Sequence, residues 1–236
     1  MRKSYLLRIW TNRVLGRIVK GDKRPVFFDI EQTCPQLLEL ERNFEIVQNE
    51  LARLLEQRDD MPCYHELDPN QDYISRSTDA RWNVFMLYFV GQNFEDNRAS
   101  CPQTCEILDR IPNLFQCFVS ILEPGKSVPA HCGPYLGYLR YHLGIKVPAS
   151  NPPWIRIKEQ KHEWQEGVSI LFDDTWEHEV CNESTDDRVV LIVDILRPMP
   201  WYGHLMNLSF VQLFGKRYGR RVAHRAAKFA RSQTPT

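Results

Sequence analysis

The chain of 236 residues carries no net charge, no CxxC pair and no apolar run approaching the roughly 20 residues that span a bilayer. The missing CxxC argues against a zinc module. An odd number of cysteines, seven, argues against a closed disulfide framework and points to a reducing cytoplasm. Cys101 and Cys105 are close enough in sequence to pair under oxidation, but isolated thiols are the reading taken. With zero net charge and a pI near 7.0, nothing global indicates nucleic acid. The opening stretch, MRKSYLLRIWTNRVLGRIVK, sets arginines inside its apolar run and shows no small-residue cleavage site, so it is not read as a signal peptide. Repeats, low-complexity tracts and interdomain linkers are also missing. What is present is a globular composition, 43% hydrophobic, 25% charged and 11% aromatic, in a length suited to one domain, residues 1–236.

The zero net charge conceals a segregation. Residues 1–24 hold eight Lys/Arg against the single acid Asp22, and from Ile195 onward there are eight more and no acid. The middle is left with 14 basic and 29 acidic residues. Both ends interleave cations with large apolar side chains: Tyr5, Leu6, Ile9 and Trp10 at one, Leu213, Phe214, Tyr218, Val222 and Phe229 at the other. Such segments suit the surface of an anionic membrane, at about 1 kcal/mol per cation. The alternative is that they fold back onto the acidic middle.

Thr33-Cys-Pro-Gln36 reads as a capping box opening a helix, with Leu37, Leu40, Phe44, Val47, Leu51 and Leu54 as one apolar stripe running to about Gln57. Residues 81–90 form a strand or a short helix, and Cys101–Arg110 a short helix. From there the character changes. LFQCFVSIL (114–122), GYLRYHLGIKV (137–147), WIRIK (154–158), GVSILF (167–172) and RVVLIVDIL (188–196) are β-branched and aromatic, separated by turn-forming clusters. The pattern predicts a mainly β barrel or jelly-roll core at about 101–198. A helical region, 1–100, precedes it and a basic helical tail, 199–236, follows.

Isolated polar residues within these runs carry the chemistry. Arg140 and His142 are two apart, hence on one face of one strand. A barrel interior receiving Ser120, Arg140, His142 and Arg188 buries two cations, which demands an anion, and a guanidinium fork matches a carboxylate. His131 and His178 are candidate metal ligands. Two histidines with a carboxylate are a usual ligand set for iron(II) oxygenases, but the position two after His131, where the carboxylate is expected, is Gly133. A single histidine is more often structural than a ligand, and His65, His162, His204 and His224 are assigned to that class. Cys132 receives no role.

The run Ser120-Ile-Leu-Glu-Pro-Gly-(x)5-His131-x-Gly-Pro-(x)4-Leu-Arg140-x-His142-Leu-Gly closely resembles the aspartyl/asparaginyl β-hydroxylase family. So does Trp164-(x)2-Gly167-(x)4-Phe172-Asp-Asp-Thr-Trp-Glu-His178-Glu-Val, followed by Arg188-(x)5-Asp194. The resemblance implies a double-stranded β-helix (cupin-like jelly roll) and an Fe(II)- and 2-oxoglutarate-dependent dioxygenase that uses O2 to hydroxylate an unactivated C–H, releasing succinate and CO2. It implies that His131 and His178 bind iron and that Arg188, with Ser120, holds the distal carboxylate of 2-oxoglutarate. His142 and Arg140 would address the other carboxylate or a substrate anion, and Asp173 and Asp174 would orient His178 or close its turn. Gly133 also stands at this place in the aspartyl hydroxylase branch, where two histidines hold the iron.

For substrate, Pro134-Tyr135 and Leu139-Arg-Tyr-His-Leu-Gly resemble the lipid A and ornithine-lipid acyl 2-hydroxylase branch. Tyr138 stands where the peptide branch tends to have an arginine, whereas Gly133 matches that peptide branch. An acyl chain is favoured slightly over an Asp/Asn side chain of a peptide or free amino acid. An iron halogenase and a non-catalytic cupin-like binding module are the readings from other classes. The expected location is the cytoplasm, with the basic ends at the inner face of the membrane.

Overall fold

The computed structural model describes residues 2–233. The side chains of Arg2, Lys3 and Tyr5, part of the basic N-terminal stretch, lie outside the described residues. Eleven strands carry the core: β1 (Phe27–Phe28), β2 (Trp82–Phe89), β3 (Gln92–Asn93), β4 (Leu114–Leu122), β5 (Ser127–His131), β6 (Tyr138–Lys146), β7 (Trp154–Ile157), β8 (Gln160–Glu163), β9 (Ser169–Phe172), β10 (His178–Cys181) and β11 (Arg188–Leu196). They form two antiparallel sheets, a larger one in the order β1-β9-β6-β11-β4-β2-β3 and a smaller one in the order β5-β10-β7-β8. This is the jelly-roll arrangement expected from the sequence, with helices at both ends. The large sheet recruits β1, β2 and β3 from residues 1–100, where the sequence predicts a helical region with residues 81–90 as a strand or a short helix, so the β core begins well before Cys101.

Alternation along the strands sorts side chains into two layers. Leu139, Tyr141 and Leu143 of β6, with Val189, Leu191 and Val193 of β11 and Val119 and Ile121 of β4, form one apolar cluster. It is completed by Leu37, Leu40, Val47 and Leu51 from the N-terminal helices. The alternate residues, among them Phe118, Val190, Ile192 and Phe172, pack against Val128, Ile155, Ile157 and Val180 of the smaller sheet. Ser120, Arg140, His142 and Arg188 share the parity of this second set, so they face the space between the sheets. The long strands are buried on both faces, which explains their nearly unbroken apolar character.

Helix α1 (Arg2–Ile18) precedes the core, α2 (Phe44–Leu54) and α3 (Pro102–Asp109) cover the outer face of the large sheet, and α4 (Trp201–Phe210) and α5 (Lys216–Gln233) follow it. The expected helix from Thr33 to Gln57 is broken. Thr33 ends a short turn capped by Asp29, Cys34 is extended at φ −160°, and Asn43 (φ −108°, ψ 28°) interrupts the path before α2. Its apolar stripe still buries, because the broken pieces lie along the same sheet face. Cys101 and Cys105 are free thiols, their Sγ atoms 3.9 Å apart. Among the described residues no helix is long and apolar enough to cross a membrane.

The basic ends fold onto the domain through apolar side chains, Leu15 of α1, Val211 after α4 and Val222 of α5. Among the described residues, Arg217, Arg220, Arg221, Lys228 and Arg231 of α5 enter no ion pair.

Candidate active site

His131 closes β5 and His178 opens β10, and the antiparallel register sets them directly opposite each other. Their ring centroids are 4.2 Å apart. Each ring is fixed through its Nδ1, which donates to a backbone carbonyl two residues earlier: Pro129 O at 2.8 Å for His131, Trp176 O at 2.9 Å for His178. That tautomer leaves both Nε2 lone pairs free for a metal, the usual way a protein presents ligating histidines. Burial pulls His178 down to about 3, helped by the closeness of the His131 ring, and lowers His131 as well. Both rings are therefore neutral, as a metal requires. Among the described residues, no group of three or more His, Cys, Asp or Glu side chains is arranged to hold a metal ion.

The turn that delivers His178 is held from outside. Arg24 donates to Asp173 at 2.7 Å and lies 3.5 Å over the Trp176 ring, while Arg197 meets the same carboxylate at 2.7 Å. Burial opposes ionisation of Asp173, yet Arg197, Thr175 and Arg24 together hold its carboxyl below the usual range. Asp173 thus fixes the turn whose Trp176 carbonyl orients His178.

Deeper between the sheets lies a second set of groups. Arg188 is 2% exposed, and its Nη1 reaches only Ser120, at 3.4 Å from Oγ. The same Oγ accepts from Trp82 Nε1 at 3.0 Å. The Arg188 guanidinium lies 4.7 Å over the Trp164 ring, and His142 stacks on that indole with its edge toward Phe172. Burial alone lowers Arg188 to about 9 and, with Arg140 and Arg188 nearby, drives His142 well below its ordinary value. Both nitrogens of His142, Nε of Arg188 and Nε1 of Trp164 are buried without a hydrogen-bond partner. A guanidinium enclosed with unpaired donors and no carboxylate is the signature of a site for an anion. A dicarboxylic keto acid fits this donor set, and iron fits the histidine pair.

Arg140 differs from its expected role. Its Nε and Nη2 donate to Asp194 at 2.9 and 2.8 Å, and its Nη1 lies 3.2 Å from Asp174. Two carboxylates already neutralise it, so it serves as a brace between β6, β11 and the His178 turn, not as a free anion receptor. Asp194 also accepts from Gln116 at 2.6 Å.

What fills the place beside Gly133 is Asp174, a neighbour that the linear order of residues does not reveal. A Cβ built there would meet Asp174 Oδ1 at 2.4 Å, while Gly133 N donates to Asp174 O at 2.8 Å. Asp174 Oδ2 accepts from Tyr138 Oη at 2.7 Å, and its Oδ1 is buried without a partner. Burial, against the pull of Arg140, raises its carboxyl to about 7. Trp82 and Trp164, too, escaped notice as site residues, although Trp164 stands in the second motif.

The loop between His131 and Tyr138 is gripped by helices. Asn12 of α1 donates to Pro134 O and accepts from Leu136 N, both at 3.0 Å. Asn207 of α4 donates to Gly137 O at 2.6 Å and accepts from Tyr135 Oη at 2.6 Å. A side chain at 137 would collide with both Tyr135 and Asn207, hence glycine.

Comparisons with known proteins place the chain among relatives. The profile of the family Aspartyl/Asparaginyl beta-hydroxylase matches residues 41–198. The ornithine lipid ester-linked acyl 2-hydroxylase of Rhizobium tropici is 38% identical over 205 residues, covering 86% of this chain and 72% of that one. The aspartyl/asparaginyl beta-hydroxylase of Homo sapiens is 30% identical over 204 residues, covering 84% of this chain but only 26% of the human protein. Among solved structures, a Pseudomonas putida prolyl-4-hydroxylase aligns over 65% of this chain and 87% of its own, with 15% identity and a TM-score of 0.42. The chain belongs to the aspartyl/asparaginyl β-hydroxylase family.

Proposed function

We propose that this chain is an Fe(II)- and 2-oxoglutarate-dependent hydroxylase whose substrate is a lipid acyl chain. The observation that carries the reading is Arg188, a buried cation with unpaired donors and no carboxylate, set behind two neutral histidines whose Nε2 atoms are free. Iron(II) with 2-oxoglutarate and O2 supplies an oxidant that converts an unactivated C–H to C–OH while the keto acid becomes succinate and CO2.

The chain's own residues have separable tasks. His131 and His178 hold the metal, their rings locked by Pro129 and Trp176 carbonyls. Arg188 and Ser120 take one carboxylate of the keto acid, and Trp82 keeps the serine hydroxyl aimed. His142 and Trp164 offer the remaining buried donors, and Phe172 packs edge-on against His142.

Arg140 favours the acyl reading over an acidic peptide side chain, because Asp194 and Asp174 already consume the guanidinium that a substrate carboxylate would need. The relative from Rhizobium tropici, aligned over 72% of its length, supports the same choice. A cytoplasmic chain working at the inner membrane face belongs to this proposal.

Anaerobic titration with iron(II) and 2-oxoglutarate tests the cofactors. A metal-to-ligand charge-transfer band is expected, and its failure to appear would leave only a binding module. Comparing lipid and peptide extracts from cells with and without the active gene tests the substrate. The expected product is an acyl lipid heavier by one oxygen, and a peptide so altered would overturn the lipid choice.

A further inference from the structure

Among the described residues, α1, α4 and α5 each carry exposed side chains on their outer faces. On α1 the exposed residues Leu6, Trp10, Arg13 and Arg17 recur at three- and four-residue steps, forming one stripe opposite the buried Thr11 and Leu15, and Lys20 is exposed just beyond the helix. On α4 and the turn that follows, Trp201, Tyr202, Leu205 and Leu213 are exposed, Trp201 by 78%. Of ten large hydrophobic side chains exposed among the described residues, seven lie on these segments. Further along the same helical path, Arg217, Arg220, Arg221, His224 and Arg225 line a shallow basin with no acid in it. The helices adjoin, since Gly203 of α4 lies against Ile18 of α1.

We infer that this face docks on an anionic lipid bilayer, with the α1 and α4 side chains in the headgroup region and the α5 cations against lipid phosphates. Three features select a bilayer over another occupant. Trp, Tyr and Leu mixed with Arg and Lys is the composition that settles at a headgroup boundary. From Ile195 onward no acid interrupts it, so an anionic surface meets no repulsion. Finally, Asn12 of α1 and Asn207 of α4 are the residues that grip the loop between His131 and Tyr138. The helices presenting the exposed side chains thus also hold the loop that follows His131. Docking there brings the site to acyl chains, and in that respect the inference rests on the acyl-lipid reading.

The test is sedimentation of the full chain, without iron or keto acid, with vesicles of phosphatidylcholine alone or mixed with phosphatidylglycerol. Binding to the mixed vesicles is expected, falling as salt rises and roughly tenfold weaker on the neutral ones. Arg217→Glu with Arg221→Glu should cost at least roughly fivefold per cation. Trp201→Ala with Leu205→Ala should weaken binding on the same vesicles while leaving the unfolding midpoint unchanged, because those side chains are exposed. Equal binding to both vesicles, no binding, or variants that bind like the parent would overturn the surface. So would a dimer in gel filtration that Trp201→Ala dissociates without any lipid binding. The readout is independent of turnover: a chain that binds vesicles but oxidises no keto acid defeats the hydroxylase reading alone, and one that turns over without binding defeats the surface alone.

Discussion

Asp174 stands with its carboxylate against Gly133, so that a Cβ on the glycine would lie 2.4 Å from Oδ1. The two positions therefore share one volume, and only one of them can carry a side chain. Gly133→Asp should destabilise the chain by about 1–3 kcal/mol through overpacking. The double variant Gly133→Asp, Asp174→Gly should recover much of that loss, a coupling read from urea unfolding. Independent, additive costs would mean that the two positions do not compete.

Removing either imidazole should abolish metal-dependent succinate production. In His131→Ala and His178→Ala, circular dichroism should remain that of the parent while 2-oxoglutarate turnover vanishes. Full turnover in either purified variant would contradict the assignment of iron to this pair.

Arg188 poses a trade-off. Its charge is buried without a carboxylate, which costs stability until an anion arrives. Replacement by Met should raise the unfolding free energy of the ligand-free chain by about 1 kcal/mol or more, while raising the apparent KM for 2-oxoglutarate roughly ten- to a hundredfold. A variant that is both less stable and unchanged in KM would remove Arg188 from the co-substrate site.

The pH dependence of stability follows from Asp173. Its folded carboxyl titrates below the ordinary 3.8, held there by Arg197, Thr175 and Arg24 against the effect of burial. A group lowered on folding stabilises fully above its unfolded value and loses that contribution as pH falls through the folded one. Asp173→Asn should therefore cost about 3–5 kcal/mol at neutral pH, because it leaves Arg197 buried and unpaired. The gap between parent and variant should stay flat from about pH 7 to 5 and narrow below about 4. A gap independent of pH would detach the stabilisation from the charge.

The long strands were legible in the sequence because both of their faces are buried. β4, β6 and β11 read as apolar runs in which Ser120, Arg140, His142 and Arg188 stand out, and those exceptions face the space between the sheets. β5, β8 and β10 are four or five residues long and rich in polar side chains, so hydropathy alone did not reveal them. The histidine pair was legible through motif spacing. Its geometry was not, because it depends on the cross-strand register of β5 with β10. The pairing of Arg140 with Asp194 was hidden for a similar reason: the partners are 54 positions apart and meet only when β6 lies beside β11. Asp174 reads from the sequence as a residue that orients His178 or closes its turn, since nothing in a linear sequence says that its carboxylate will lie against a glycine in the loop after β5.

In β11 the residues that serve the site, Arg188 and Asp194, are even-numbered, and those that meet the helices, Val189, Leu191 and Val193, are odd. Deleting one residue within the strand exchanges the two sides, sending a guanidinium into the hydrocarbon layer and valines into the space between the sheets. Such a chain loses its core along with its chemistry, so a misregistered enzyme does not persist as a stable but inactive one. Folding itself proofreads the catalytic centre.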